Sequence, residues 1–289
     1  MTVAAAIEFA ARLLREAGVD GPARDARALV SAAAGLDRAS IVRDPDARLT
    51  PPQQQKVMDF IERRRKREPV SRVLGQRAFY GREFEISPAT LDPRPDSETI
   101  IEAALELLEE DGIGRDAPLR VIDIGTGSGC LLVTMLAEMP QATGVGTDIA
   151  PQALQMAERN ALKNDVDGRA AWRLCRSLDG IEGIFDLLVS NPPYIPSGDI
   201  AGLDPEVRDY DPLGALDGGA DGLEIYRQIA QRLGHVVPGG WAIFEVGAGQ
   251  AAAVSDLLMR VNGGGSPPDI RLFKDLAGIE RCVAWKARC

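Results

Sequence analysis

The chain runs to 289 residues, 45% hydrophobic and 26% charged, with a formal net charge of -10 and a sequence pI near 4.8. A chain this long buries roughly 75% of its extended surface, enough for one large core or two modest ones, and such a composition excludes general disorder. The acidic balance argues against non-specific adhesion to nucleic acid or anionic membrane, no run approaches the roughly 20 apolar residues needed to cross a bilayer, and residues 1–8 lack the basic-then-apolar order of a leader.

Ile7, Ala10, Ala11 and Leu14 recur at a helical period over residues 3–17, and Gly18 ends the pattern. A second helix is predicted from Pro22 to Gly35 through Ala26, Leu29, Val30 and Ala33. A third follows Pro51-Pro52, with Val57, Phe60 and Ile61 as its apolar side. It closes on Arg63-Arg64-Arg65-Lys66-Arg67, which reads in two ways. The cations either oppose the partial charge of the helix C-terminus or form a patch for an acidic partner or RNA backbone, although no aromatic residue is interleaved with them. Residues 1–67 thus read as a small helical domain. Pro69, Gly75, Gly81, Pro88, Pro93 and Pro95 punctuate residues 68–95, where Ala78-Phe79-Tyr80 and Phe84-Glu85-Ile86 read as a β-hairpin bridging two domains.

Asp96-Ser97-Glu98-Thr99 then opens a helix carried by Ile100, Ile101, Ala104, Leu105 and Leu108 to Gly112. From Leu119 the rhythm is strand then helix. Strands are expected at 119–124, 144–148, 170–174, 185–190 and 241–246, and helices at 129–138, 151–163, 223–236 and 250–261. Ile270-Arg271-Leu272-Phe273 and Arg281-Cys282-Val283-Ala284-Trp285 read as a terminal antiparallel pair. The alternation calls for an α/β fold over residues 96–289, a mostly parallel sheet with helices on both faces. Gly263-Gly264-Gly265-Ser266-Pro267-Pro268 reads as a flexible loop. Cysteines 130, 175, 282 and 289 and the single His235 have neither zinc-site nor disulfide spacing, so a reducing cytoplasm is the expected location.

Two stretches carry chemistry. Asp123-Ile124-Gly125-Thr126-Gly127-Ser128-Gly129 ends an apolar strand in glycines that permit a sharp turn, close ligand approach and free N–H donors at a helix start. Such a turn also occurs in dinucleotide sites, or merely packs a helix on a strand. Asp123, before the loop, suits a cationic amine better than a pyrophosphate. Asp148, which ends the next strand, can accept from both hydroxyls of a ribose. Amine, ribose and adenine together describe S-adenosyl-L-methionine (S-adenosylmethionine). NAD stays open on this segment alone.

Ser190-Asn191-Pro192-Pro193-Tyr194 follows an apolar strand and so meets the glycine loop at one sheet edge. Pro192 confines Asn191 to extended geometry, and with Pro193 stiffens the turn. The Asn191 side-chain oxygen and the Pro192 carbonyl are both acceptors, able to hold the two protons of a planar NH2 group. Tyr194 could stack on the planar group that bears it. Asparagine is no general base, and none is needed before attack. Read blandly, the stretch is a rigid turn with a packed tyrosine; hydride transfer has no use for it.

This motif pair resembles class I S-adenosylmethionine-dependent methyltransferases that act on exocyclic or amide nitrogens. Over residues 20–289 the chain is similar to the release factor glutamine methyltransferases, the PrmC/HemK family. Arg94-Pro95-Asp96-Ser97-Glu98 matches a family segment with serine for threonine. Asp25-Ala26-Arg27, Glu68-Pro69-Val70, Phe79-Tyr80-Gly81, Asp211-Pro212-Leu213-Gly214-Ala215-Leu216, Gly219-Ala220-Asp221-Gly222-Leu223 and Lys274-Asp275-Leu276-Ala277-Gly278-Ile279-Glu280-Arg281 also agree.

The resemblance implies a class I methyltransferase fold, a mostly parallel seven-stranded doubly wound sheet with an antiparallel C-terminal strand, behind a five-helix-like domain that helps dock a class 1 peptide chain release factor. The glutamine of that factor's Gly-Gly-Gln loop would be methylated on its amide nitrogen. Asn191 and Pro192 would hold the amide, beside Pro193 and Tyr194. Asp123, Gly125, Thr126, Gly127, Ser128, Gly129 and Asp148, with Asn191, would bind the cofactor. A monomer without stable nucleic-acid or membrane binding is expected. Leu174-Cys175-Arg176-Ser177 departs from relatives that carry an acidic residue near the adenine, and Asp92 replaces a common isoleucine. Three rivals stay open: a ribosomal-protein glutamine methyltransferase, an adenine methyltransferase on DNA or RNA, and a cofactor-binding module without catalysis.

Overall fold

The computed structural model describes residues 1–261 and 266–288. The chain divides into two units, Met1–Gln76 with Asp204–Tyr210, and Arg77–Leu203 with Asp211–Cys289. Residues 263–265 of the expected flexible loop lie outside the described residues.

The first unit contains α1 (Val3–Glu16), α2 (Pro22–Ala34), α3 (Arg38–Arg43), α4 (Pro51–Arg65) and α5 (Val70–Leu74). Thr2 and Thr50 accept from backbone N–H groups three residues on, and Gln53 returns the bond to Thr50, completing a capping box at α4. Gly35 ends α2 at φ 67, the left-handed region that glycine enters without a Cβ clash. Val3, Ala10, Leu14, Leu29, Val57 and Ile61 form its core. The five helices agree with the five-helix-like domain that the resemblance implies; periodicity alone shows three of them, because α3 and α5, at six and five residues, are too short to show a period. Helix α5 lies where the hairpin was expected to begin; Pro69 starts it and Gly75 ends it.

Arg63, Arg64 and Arg65 fill the last turn of α4, where their charge opposes that of the helix C-terminus, and the run is also paired with carboxylates. Arg64 is 5% exposed and binds Asp25 at 2.9 Å and Glu206 at 3.0 Å, while Arg67 reaches Glu206 at 2.8 Å and Arg63 reaches Glu68 at 2.8 Å. Arg65 pairs with Glu62 at 3.1 Å. The run therefore holds its own unit together, including the helical turn Pro205–Arg208 that returns from far along the chain.

The second unit opens with the hairpin strands β1 (Gln76–Phe79) and β2 (Arg82–Glu85). Tyr80 and Gly81 both have positive φ, the two-residue turn that matches strand twist. Helix α6 (Glu98–Glu110) precedes β3 (Arg120–Ile124), α7 (Cys130–Glu138), β4 (Thr143–Asp148), α8 (Pro151–Lys163), β5 (Ala170–Leu174) and β6 (Leu187–Ser190). Then come α9 (Glu224–Val236), β7 (Trp241–Glu245), α10 (Ala251–Leu258), β8 (Asp269–Lys274) and β9 (Glu280–Lys286). The seven-stranded sheet has order β5-β4-β3-β6-β7-β9-β8, parallel from β5 to β7, with β9 antiparallel to both neighbours.

Strand residues alternate between two cores. Val121, Val189 and Ile243 join one with α6 and α7; Ile122, Leu188 and Phe244 join the other with α9 and α10. A sheet covered on both faces is what continuous apolar strands require. Connections run outward in opposite directions from β3 and β6, so the crevice at their carboxyl ends is the switch point where such sheets bind ligands. Register pairs Ile124 with Thr147 and with Ser190, and Ser190 with Phe244. The next residues of four strands, Gly125, Asp148, Asn191 and Glu245, thus emerge side by side.

Candidate active site

A cavity of about 810 Å³ opens at this edge. Gly125, Thr126, Gly127 and Ser128 line it from the loop between β3 and α7, Asp148 from β4, and Asn191, Pro192 and Pro193 from the turn after β6. Gly125 and Gly127 stand at φ 71 and 54. A Cβ added to Gly125 would meet nothing within 4 Å, so that face of the loop is open for a ligand to approach the backbone. The Asp148 carboxylate accepts from Gly127 N and Ala150 N, each at 2.9 Å. Each oxygen keeps a lone pair, so the orientation suited to two hydroxyls is fixed beforehand.

Three expected residues are not brought to the wall. Asp123 is wholly buried beneath the loop; its Oδ2 accepts from Thr126 Oγ1 at 2.6 Å and its Oδ1 has no hydrogen-bond partner. Burial pushes its carboxyl up to about 7, against the hydrogen bond from Thr126. Gly129 faces α8 instead, where a Cβ would lie 3.0 Å from Ala157 Cβ, so its glycine serves packing. Tyr194 turns behind the turn, with its hydroxyl 3.4 Å from Glu245 Oε1 and its carbonyl accepting from Gln250 at 2.9 Å.

The Asn191 amide has a defined orientation. Its Nδ2 donates to Ser97 Oγ at 3.0 Å, and Ser97, at the start of α6, makes no cap bond that would compete. The amide nitrogen is committed, so Oδ1 is the group left to accept. Asn191 is half-buried and Pro192 buried, a setting in which an unmet acceptor is costly and a ligand N–H is favoured.

Sequence reasoning missed several wall or supporting residues. Arg94 lines the cavity and pairs with buried Asp211 at 2.6 Å, drawing the segment before α6 to the return loop 211–222. Gly222 lets that loop lie on the turn: a Cβ there would fall 2.3 Å from the Tyr194 carbonyl oxygen. Ser177 holds φ 51, a strained value for serine, on the wall beyond β5. Where an acidic residue was missing, the wall consists of Cys175 and Arg176, with Ile149 alongside. Glu245 has a legible signal, a carboxylate inside the apolar run 242–246, whereas Ser97 reads in sequence as a helix opener and as part of the family-like segment 94–98, with no site role.

A doubly wound sheet of this order, with a glycine loop, a strand-end aspartate and an Asn-Pro-Pro turn on one crevice, defines a class I S-adenosylmethionine-dependent methyltransferase. Comparison with known proteins narrows the class. Family models match residues 5–75 as the PrmC N-terminal domain and residues 97–201 as the methyltransferase small domain. A release factor glutamine methyltransferase of Rhodospirillum rubrum is 46% identical over 276 residues, covering 95% of this chain and 82% of the relative. One from Agrobacterium fabrum is 39% identical, covering 99% and 97%. The chain belongs to the release factor glutamine methyltransferase family. Among solved structures, the N-terminal domain of human METTL16 superposes at TM-score 0.52 with 16% identity, covering 84% of this chain and 85% of that one, a likeness of fold alone.

Proposed function

We propose that the chain methylates the side-chain amide nitrogen of the glutamine in the Gly-Gly-Gln motif of class 1 peptide chain release factors, with Asn191 and Pro192 as the groups that hold that amide. The carrying observation is the commitment of Asn191 Nδ2 to Ser97, which leaves Oδ1 as an acceptor on the cavity wall beside Pro192. When bound, S-adenosylmethionine supplies a methyl carbon made electrophilic by its sulfonium. Asp148 would accept from the ribose hydroxyls, and Gly125 and Gly127 would admit the amino-acid portion against the loop backbone. Asp123 would act on the amine through Thr126, which donates to it and lines the cavity.

On the substrate side, Asn191 Oδ1 and the Pro192 carbonyl each accept one N–H of the glutamine amide. Holding both protons draws the nitrogen lone pair out of conjugation with its carbonyl and fixes its direction. The stiff Pro192-Pro193 backbone keeps that aim without reorganisation, which is where orientation lowers a barrier. The methylated nitrogen then releases one proton to water. The reading includes action as a monomer, with the helical unit docking the release factor and a cytoplasmic location where that factor works. Among the described residues no helix is long and apolar enough to cross a membrane. Labelled methyl offered with purified release factor, ribosomal protein or duplex DNA tests the assignment. Label on the release factor alone is expected; label on DNA alone would end it.

A further inference from the structure

The carboxyl at the end of β7 has no part in the reaction as described above. Glu245 is 2% exposed, its backbone carbonyl accepts from Tyr226 OH at 2.6 Å, and its side chain lies behind the turn. Tyr194 OH stands 3.4 Å from Oε1, and Oε2 is buried without a hydrogen-bond partner. The side chains of Ser97 and Asn191, already bonded to each other, both favour the ionised form of this carboxyl. Glu245 does not line the cavity.

We infer that Glu245 is a positioning residue which, through Ser97 and from behind the turn, locks the Asn191 amide with its NH2 inward and its oxygen toward the substrate. The inference rests on the reading of Asn191 as the holder of the glutamine amide. A primary amide is nearly symmetric in shape, so packing alone cannot tell Oδ1 from Nδ2, and only hydrogen-bond partners decide the orientation. Ser97 is an ambivalent partner because its hydroxyl can donate or accept. An ionised carboxylate can only accept. It takes the Ser97 proton, presents the Ser97 oxygen to Nδ2, and rejects Oδ1 as a neighbour. A protonated carboxyl becomes a donor, and the reversed amide, with its NH2 facing the substrate N–H groups, is then equally well satisfied.

The lock therefore depends on ionisation. Burial pushes the Glu245 carboxyl up to about 7, with Ser97 and Asn191 opposing the rise. The charged and titratable groups around it are Asp96, which works against ionisation, and Arg281, which favours it, with the Tyr194, Tyr226, Cys130 and Cys282 side chains held neutral by burial. A folded-state pKa above the ordinary value also means that ionised Glu245 works against stability as pH rises through about 7. A residue kept for folding alone has no reason to do this.

The test is the pH profile of kcat for the full-length enzyme on purified release factor, together with Tm and KM. Wild type should show kcat rising with pH through about 7. Glu245→Gln should lose that step, lower kcat at pH 8 about tenfold, leave KM for S-adenosylmethionine unchanged, and raise Tm at pH 8. Ser97→Ala should also lower kcat and flatten the profile, and Ser97→Thr, which keeps the hydroxyl, should restore both. An unchanged kcat and pH profile in a folded Glu245→Gln enzyme, while Asn191→Ala is inactive, would overturn the inference alone. An active Asn191→Ala would overturn the underlying reading instead.

Discussion

The two units bury carboxyl groups in opposite ways. In the helical unit Asp25 and Glu206 meet arginines, Arg64 at 2.9 and 3.0 Å, and Arg67 besides. Burial opposes ionisation of Glu206, but Arg67 and Arg64 hold its carboxyl below the usual range. In the catalytic unit Asp123 and Glu245 are more deeply buried, meet hydroxyl and amide groups, and are pushed up to about 7. Charges that only hold a fold together are matched by opposite charges. Asp211, beside the cavity, is matched in the same way by Arg94, whereas Asp123 and Glu245 are left partly unmatched, which keeps the site responsive at a cost in stability.

Breaking the matched pair has the largest expected effect. Arg64→Ala leaves the buried Asp25 carboxylate with only the exposed Arg24 at 3.2 Å and should destabilise that unit by up to about 3–5 kcal/mol, the range for removing one partner of a buried pair. Denaturant unfolding followed by a probe in the helices checks this; a loss below about 1 kcal/mol would show that the pair is dispensable. Next comes Asp148→Ala, expected to weaken cofactor binding by about 1.5–3 kcal/mol, the scale of charge-assisted hydrogen bonds. Calorimetry with the methyl donor reads it, and equal affinity would reject the placement.

The smallest effect concerns pH. Glu206, with its lowered pKa, contributes stability present above the unfolded value and lost as pH falls through the folded one. Asp123, with its raised pKa, contributes stability present below the unfolded value and lost as pH rises through about 7. Tm of the wild type should therefore decline from pH 6 to pH 8, and Asp123→Asn should reduce that decline. An identical slope in the variant would remove Asp123 from the account.

Much of this was legible in the sequence because local pattern and tertiary demand coincide in long elements. The strands near 119–124 and 185–190 and the helices ending at Gly18 and Gly35 needed only period and punctuation. The glycine loop, Asp148 and Asn191-Pro192 were found because motif and sheet edge point to one place. What escaped depends on distant pairing. Nothing local says that Arg64 meets Asp25 and Glu206, 39 and 142 residues away, or that Arg67 shares Glu206. Nor does local pattern say that Ser97 turns from its helix to Asn191, 94 residues on. Asp123 and Tyr194 adjoin the wall residues in sequence, but neither side chain lines the cavity.

The central claim is that the Asn191 oxygen holds the substrate nitrogen in the reacting direction. Single-turnover methyl transfer to a purified release factor by Asn191→Ala, run beside its affinity for S-adenosylmethionine, tests it most directly. Turnover should fall by roughly 10²-fold or more while affinity for the methyl donor stays the same, as expected when a transition-state contact is lost. Turnover equal to wild type would contradict the account.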